Sequence, residues 1–325
     1  MNLKKKLPLF ISLIFLVLII SACSNEQANQ NETTSDSGGN GDKIVIGASL
    51  PTFSDVWLTY LHDGMKDYAE QLDDVEVIYV DAQNDASQQV AQIETFITRG
   101  VDAMVIMPVD ITSAPDMVDR ANAAGIPNII VNRYFEGVEE ATAFIGSDSK
   151  TSGLMQMEEV AKLLDGKGNI AIMNGELGQE AAIQRTDGNK EIIEQYPEME
   201  VILESTAKWD RAEAMNLMEN WLNSGKQIDA VVANNDEMAI GALMAAEAVG
   251  KLDEIVFAGI DATPEALKYI QDGKLSVSVF QNAKGQGAGG IEAAVKAVRG
   301  EELEKVTDIP FELVTIDNLE EYIQE

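Results

Sequence analysis

Short apolar runs recur along this chain at a spacing that few folds other than an α/β one can use. They lie at 43–50, 75–80, 103–107, 128–131, 142–145, 169–173, 201–204, 230–233, 255–260 and 276–280, and most are unbroken stretches of Val, Ile, Met and Ala. Alternation would mark strands with one wet face, whereas unbroken runs mark parallel strands covered on both faces. Between them lie helical patterns: Val90, Ile93 and Ile97 share a face, as do Leu217, Met218, Trp221 and Leu222. Gly100, Gly125, Gly225, Gly250, Gly273 and Gly300 stand where these helices should end. The expected fold is α/β with parallel sheets. So many strands could form one sheet or two, and periodicity does not choose. The polar turn Gly146-Ser147-Asp148-Ser149 marks a candidate boundary between two lobes.

The first 42 residues follow another pattern. Lys4-Lys5-Lys6, the apolar run 9–20 and Ser21-Ala22-Cys23 read as an export signal over 1–22. The run is short for a lasting membrane span. Cys23 is the only cysteine in the sequence, and Ile20-Ser21-Ala22-Cys23 is similar to a bacterial lipobox, in which the cysteine carries lipid after cleavage. Residues 24–42, rich in Asn, Gln, Ser, Thr and Gly, cannot bury enough apolar surface to offset their ordering entropy. Together 23–42 read as a lipidated, flexible linker that leaves the folded body outside the cytoplasm. A lone cysteine permits no disulfide within the chain, so the core must hold by burial. A formal net charge of −32 argues against nucleic acid and anionic lipid as partners.

In open parallel sheets, ligands bind beyond the carboxyl ends of the strands. The residues just past each expected strand are Asp55, Asp81, Asp110, Asn132-Arg133, Asn174 with Glu176, Asn234-Asn235-Asp236, Asp261 and Gln281-Asn282. Such a ring of carboxylates, carboxamides and guanidinium groups supplies the donors and acceptors that a polyhydroxylated ligand needs. Trp57 and Trp209 stand beside these positions, and an indole face packs well on the C–H face of a saturated ring.

Plainer roles compete for several of these residues. Asp236 could simply cap a helix, and Thr263-Pro264 reads as an N-cap followed by the first helical position. Trp221 sits at core spacing, and the sole histidine, His62, is expected on a solvated helix face. Gly285-Gln286-Gly287-Ala288-Gly289-Gly290 satisfies the dinucleotide pattern G-x-G-x-x-G. No βαβ unit follows it, so close helix packing is the better reading. Zinc spacing, a nucleophile elbow and a P-loop are all missing, and nothing places two carboxylates at a glycosidase separation.

From residue 43 to about 314 the chain resembles the periplasmic sugar-binding proteins of ABC importers, the ribose- and galactose-binding type. The matching motifs are Asn235-Asp236-Glu237-Met238-Ala239-Ile240-Gly241-Ala242, Gly259-Ile260-Asp261-Ala262-Thr263-Pro264 and Arg185-Thr186. Asn174-Gly175-Glu176-Leu177, Lys208-Trp209, Val279-Phe280-Gln281-Asn282-Ala283 and Ile309-Pro310-Phe311-Glu312-Leu313-Val314-Thr315 are most similar to the myo-inositol-binding subgroup. The resemblance implies two Rossmann-like lobes joined by a three-segment hinge, the type I periplasmic binding protein fold. Lobe one would hold 43–146 and 282–308, and lobe two 147–281 and 309–325. It implies ligand contacts from Asp55, Trp57, Asn132 and Arg133 in lobe one, and from Arg185, Trp209, Asn235 and Asp261 in lobe two. Gln281 would join them at the hinge, and the two tryptophans would sandwich the ring. Asp81 and Asn234 drop out of the contact set.

Departures from the family pattern sharpen the reading. Trp57-Leu58 replaces the paired aromatics of ribose binders, and Met107 stands where many relatives end the third strand with asparagine, leaving a hydrogen bond missing or supplied by Asp110. Leu164-Asp165-Gly166-Lys167-Gly168 is too short for the calcium loop of galactose binders, so no metal and no cofactor are expected. The resulting expectation is a monomeric, lipid-anchored, non-enzymatic binding protein that presents a cyclic polyol, foremost myo-inositol, to ABC permease subunits. The alternatives are an aldose (galactose, glucose, ribose or xylose) as ligand, or a sensor role. An enzyme acting through the carboxylates is a third class, and a LacI-type repressor is excluded by the export signal and the lack of DNA-binding helices.

Overall fold

The computed structural model describes residues 43–323, so the expected signal, Cys23 and the linker lie outside the described residues. The chain alternates strand and helix from the start: β1 (Ile44–Leu50), α1 (Val56–Ala69), β2 (Val75–Asp81), α2 (Ala86–Arg99), β3 (Ala103–Ile106), α3 (Ala114–Ala123), β4 (Asn128–Val131) and β5 (Ala143–Gly146). It continues through α4 (Ser149–Leu163), β6 (Lys167–Asn174), α5 (Glu180–Ile193), β7 (Glu198–Thr206), α6 (Arg211–Asn223), β8 (Ala230–Ala233), α7 (Asp236–Ala248), β9 (Val256–Ala258) and α8 (Pro264–Gln271). Last come β10 (Ser278–Phe280), α9 (Ala283–Arg299), β11 (Val306–Asp308) and β12 (Glu312–Val314).

Two parallel sheets result. One has the order β11-β5-β4-β3-β1-β2 and the other β7-β6-β8-β9. The antiparallel pair β10-β12 joins the edge of the second sheet through the bridge Ala258–Val277. Strands β3, β4 and β8 are buried at every residue, as largely apolar runs require when helices cover both faces; their one polar residue, Asn128, donates Nδ2 to Asn122 Oδ1 at 2.8 Å. Edge strand β7 extends well beyond its apolar centre because Glu198, Glu200 and Glu204 can face water. By contrast β9 is shorter than the 255–260 run, since past Ala258 the chain makes only a single bridge, Asp261 to Phe280. Strands β11 and β12 have no counterpart in the sequence reading; three residues each and partly exposed, they carry too little apolar signal.

The chain passes between the two sheets after β5, again between β10 and α9, and again between β11 and β12. Helix α9 thereby returns to the first sheet and packs tightly on α1. A Cβ on Gly287 would collide with the Leu61 carbonyl, and one on Gly64 with the Lys284 backbone. The glycine-rich 285–290 segment therefore serves close helix packing. Trp221 is buried in the core of the second sheet, as its spacing predicted.

His62 corrects its expectation. It is half-buried, stacked on Phe53 with ring centroids 4.6 Å apart and meeting the Tyr79 ring edge-on. Burial first, then nearby Lys66, pushes its pKa below the usual imidazole range. The helical pattern placed it outward but could not show the aromatic residues arriving from the β1–α1 turn and from β2.

Candidate functional site

Helix N-termini and strand ends converge between the two sheets on a cavity of about 50 Å³, which shares Asp55, Leu58, Arg133, Gln179 and Trp209 with an outer chamber of about 560 Å³. Asp55 precedes α1 and caps it, its Oδ1 accepting from Leu58 N at 2.9 Å. That leaves the second carboxylate oxygen free of the cap. Trp57, in the first turn of α1, is buried and donates Nε1 to the Gln281 carbonyl at 3.3 Å. Beyond β4, Asn132 adopts φ +64° and donates Nδ2 to Gln286 Oε1 at 2.9 Å. Next to it, Arg133 is anchored by Nη1, which donates to the carbonyls of Pro108 and Val109 at 2.7 Å each.

From the other side, Arg185 of α5 donates Nη1 to Asn234 O at 2.6 Å and Nη2 to Gln281 Oε1 at 2.8 Å. Its guanidinium carbon lies 5.8 Å from the ring centroids of both Trp209 and Phe311. Trp209 (φ +67°) donates Nε1 to Gln179 Oε1 at 2.8 Å. Asn235 caps α7 through Oδ1, accepting from Met238 N at 3.0 Å. Asp261 (φ +128°) faces Arg185 Nη1 at 3.8 Å, and both side chains are almost fully buried. All nine residues singled out from the sequence therefore border one cavity, joined by Leu58, Met107, Gln179 and Ala181. Left-handed backbone at Asn132, Trp209 and Asp261 is costly for residues other than glycine and concentrates at sites where surrounding structure holds it in place.

Burial dominates the electrostatics. It pushes the Asp55 carboxyl up, against the Leu58 hydrogen bond and the Arg133 charge. Asp261 is raised well above the usual carboxylate range by burial, with Arg185 pulling down and Asp236 and Asp55 pushing up. Arg133 is lowered to about 10, again by burial, and so stays protonated at neutral pH. Arg185 Nε is buried without a partner among the described residues. Two guanidinium groups, two carboxylates and three carboxamides, lining one cavity with two indoles, can satisfy hydroxyls around a saturated ring.

Other strand-end residues take supporting places. Asp236 accepts from Ser278 Oγ at 2.7 Å and Thr263 N at 3.2 Å, behind Asp261. Asn234 accepts from Gly175 N at 3.0 Å. Asp110 uses Oδ1 for Thr112 N and Ser113 N at 2.8 Å each and borders only the outer chamber. Glu176 borders the outer chamber too, and Asp81 turns the loop by accepting from Gln83 N. Sequence reasoning missed Gln179 because it stopped at Glu176; following the connector to the residue before α5 would have found it. Among the described residues, no group of three or more His, Cys, Asp or Glu is arranged to hold a metal ion, and no helix is long and apolar enough to cross a membrane.

A periplasmic binding protein domain matches residues 46–302. The chain belongs to the periplasmic binding protein family. Its α/β architecture is the type I fold of that family. An ABC transporter solute-binding protein from Bacillus halodurans C-125, solved with bound myo-inositol, is 60% identical, with a TM-score of 0.85 over 88% of this chain and 99% of that one. A Rhizobium meliloti protein assigned as a rhizopine binder is 46% identical over 86% of this chain and 92% of its own length. A xylitol-binding protein of Mycolicibacterium smegmatis is more distant, at 33% identity over 89% of this chain and 82% of its own. This binding protein is thus a sugar-binding solute receptor of the ABC type, and its family works outside the cytoplasm.

Proposed function

We propose that the protein captures myo-inositol in the cavity between its two sheets and hands it to the permease subunits of an ABC importer. The observation that carries this reading is the convergence of Asp55, Asn132, Arg133, Arg185, Asn235, Asp261 and Gln281 on one cavity walled by Trp57 and Trp209. A ring bearing a hydroxyl on every carbon needs partners all round, because each hydroxyl buried without one costs about 1–3 kcal/mol. The relative solved with myo-inositol supports the choice of ligand. Here the segments 43–146 with 282–308, and 147–281 with 309–325, act as two lobes. The three passages between the sheets act as the hinge, and ligand contacts to both lobes favour the closed state that the permease receives.

In this reading the protein is a monomer without catalysis, metal or cofactor, exported by residues 1–22 and anchored through lipid on Cys23. The test is calorimetry of the purified protein with myo-inositol beside ribose, galactose, glucose and xylose. One-to-one binding of myo-inositol with a clear preference over the aldoses supports the proposal. Preference for an aldose overturns the inositol assignment and leaves the importer class standing, while chemical change of the recovered ligand overturns the non-enzymatic reading.

A further inference from the structure

Two residues beside the cavity have no local reason to be what they are. Gln179 occupies the N-cap position of α5 yet makes no side-chain cap hydrogen bond, whereas α1, α2, α4, α6, α7, α8 and α9 are each capped by an Asp, Asn or Thr side chain. Glutamine is a weaker N-cap than those residues, so α5 gives up local stability here. Gly175 lies in the turn after β6 without the left-handed backbone that would require glycine. Nearby hydrogen bonds already fix that turn, with Gly175 N donating to Asn234 Oδ1 at 3.0 Å and Thr206 Oγ1 donating to Gly175 O at 2.6 Å.

Trp209 explains both. The Gln179 carboxamide oxygen, released from capping, accepts from the indole Nε1 at 2.8 Å, and Gln179 is itself buried. The indole lies so close over Gly175 that any Cβ there would fall well inside van der Waals contact with the ring. Lys208 and Trp209 are both left-handed, at φ +55° and +67°, so the backbone alone would not choose this placement. The geometry points to Gln179 and Gly175 as positioning residues that lock the Trp209 indole in place as a rigid wall of the cavity. A wall fixed before the ligand arrives loses no rotamer freedom when it binds. The inference rests on the reading that this cavity holds the ligand, but the locking itself is a property of the free protein.

The experiment compares wild type with Gln179→Met, Gln179→Glu and Gly175→Ala. The first readout is the Trp209 indole ¹H–¹⁵N resonance in ligand-free protein, picked out from the three tryptophans by Trp209→Phe. The second is calorimetry with myo-inositol. Gln179→Met keeps the bulk and removes the acceptor: the indole resonance should shift and exchange faster, and affinity should fall roughly tenfold. Gln179→Glu restores an acceptor and should return the resonance towards its wild-type exchange rate, with affinity recovering to within about threefold. Gly175→Ala should move the resonance further and weaken binding more. A wild-type resonance in Gln179→Met overturns the inference, as does loss of affinity in both Gln179 variants with the indole unmoved, which would make Gln179 a direct ligand contact. If wild type does not bind myo-inositol, the ligand proposal fails while the ligand-free resonances still decide the locking.

Discussion

Alanine in place of Asp261 should weaken binding of myo-inositol by about a hundredfold or more. The side chain is almost fully buried, and among the described residues no hydrogen-bond donor reaches its carboxylate, Arg185 Nη1 standing 3.8 Å away. Both oxygens are therefore available to ligand hydroxyls. A hydrogen bond to a charged acceptor contributes about 1.5–3 kcal/mol, so two give about 3–6 kcal/mol, less the cost of ionising a carboxyl that burial holds above its usual range. At about 1.4 kcal/mol per tenfold, that spans two to four orders of magnitude, and water entering the vacated space draws the loss towards the lower end. Asp261→Asn keeps the shape and one acceptor oxygen and should cost closer to tenfold. Asp110→Ala, which alters only the outer chamber and a local turn, should stay within about threefold. Calorimetry measures all three, with thermal melts to verify folding; Arg185 keeps its bonds to Asn234 and Gln281 in the alanine variant. A folded Asp261→Ala protein binding within threefold of wild type would refute the assignment of this carboxylate to the ligand.

Glu180, which accepts from Ser149 Oγ at 2.9 Å, has its carboxyl pushed up to about 7, chiefly by burial. Because the folded state holds this proton more tightly than the unfolded one, its contribution to stability is lost as pH rises from about 4.5 to 7. Glu180→Gln should therefore gain stability over wild type across that window, by on the order of 3 kcal/mol in denaturant melts, and level off above it; a flat difference would contradict this. Within the glycine-rich segment, Gly287→Ala should destabilise by at least about 2–3 kcal/mol by forcing α9 off Leu61, while Gly289→Ala, whose nearest neighbour would be Ile145 Cγ2 at 3.1 Å, should cost under about 1 kcal/mol in denaturant melts. Cys23→Ala should release the protein from the membrane fraction into the soluble fraction outside the cytoplasm, and retention in the membrane would count against lipid anchoring.

The parts of this molecule that were legible in its sequence are those governed by local pattern. Strands such as β3, β4 and β8 announce themselves because helices cover both faces and all their residues but Asn128 are apolar. Polar residues directly after those strands mark the crevice, since a parallel sheet points all its carboxyl ends the same way. What was not legible depends on partners far away in the chain. Strands β11 and β12 take their places because β5 and β10 offer edges to them, since three residues each are too few to mark a strand by pattern. Gln179 has meaning only through an indole 30 residues on, and His62 only through the rings of Phe53 and Tyr79.

Gln281 shows how binding and closure can be one event. It stands between β10 and α9, at a passage between the sheets. Its backbone carbonyl accepts from Trp57 on one side, and its side chain accepts from Arg185 on the other. Both donors are proposed to touch the ligand, so any shift that optimises their contacts is felt at the crossing segment itself. The buried charges of Asp55 and Asp261, each disfavoured by desolvation, work in the same direction. They are least stable when the cavity offers them few hydrogen bonds and gain most when hydroxyls arrive. In the proposed closure, a receptor built this way gives up stability in the free form and recovers it on binding, so that the closed state depends on a ligand that satisfies both lobes at once.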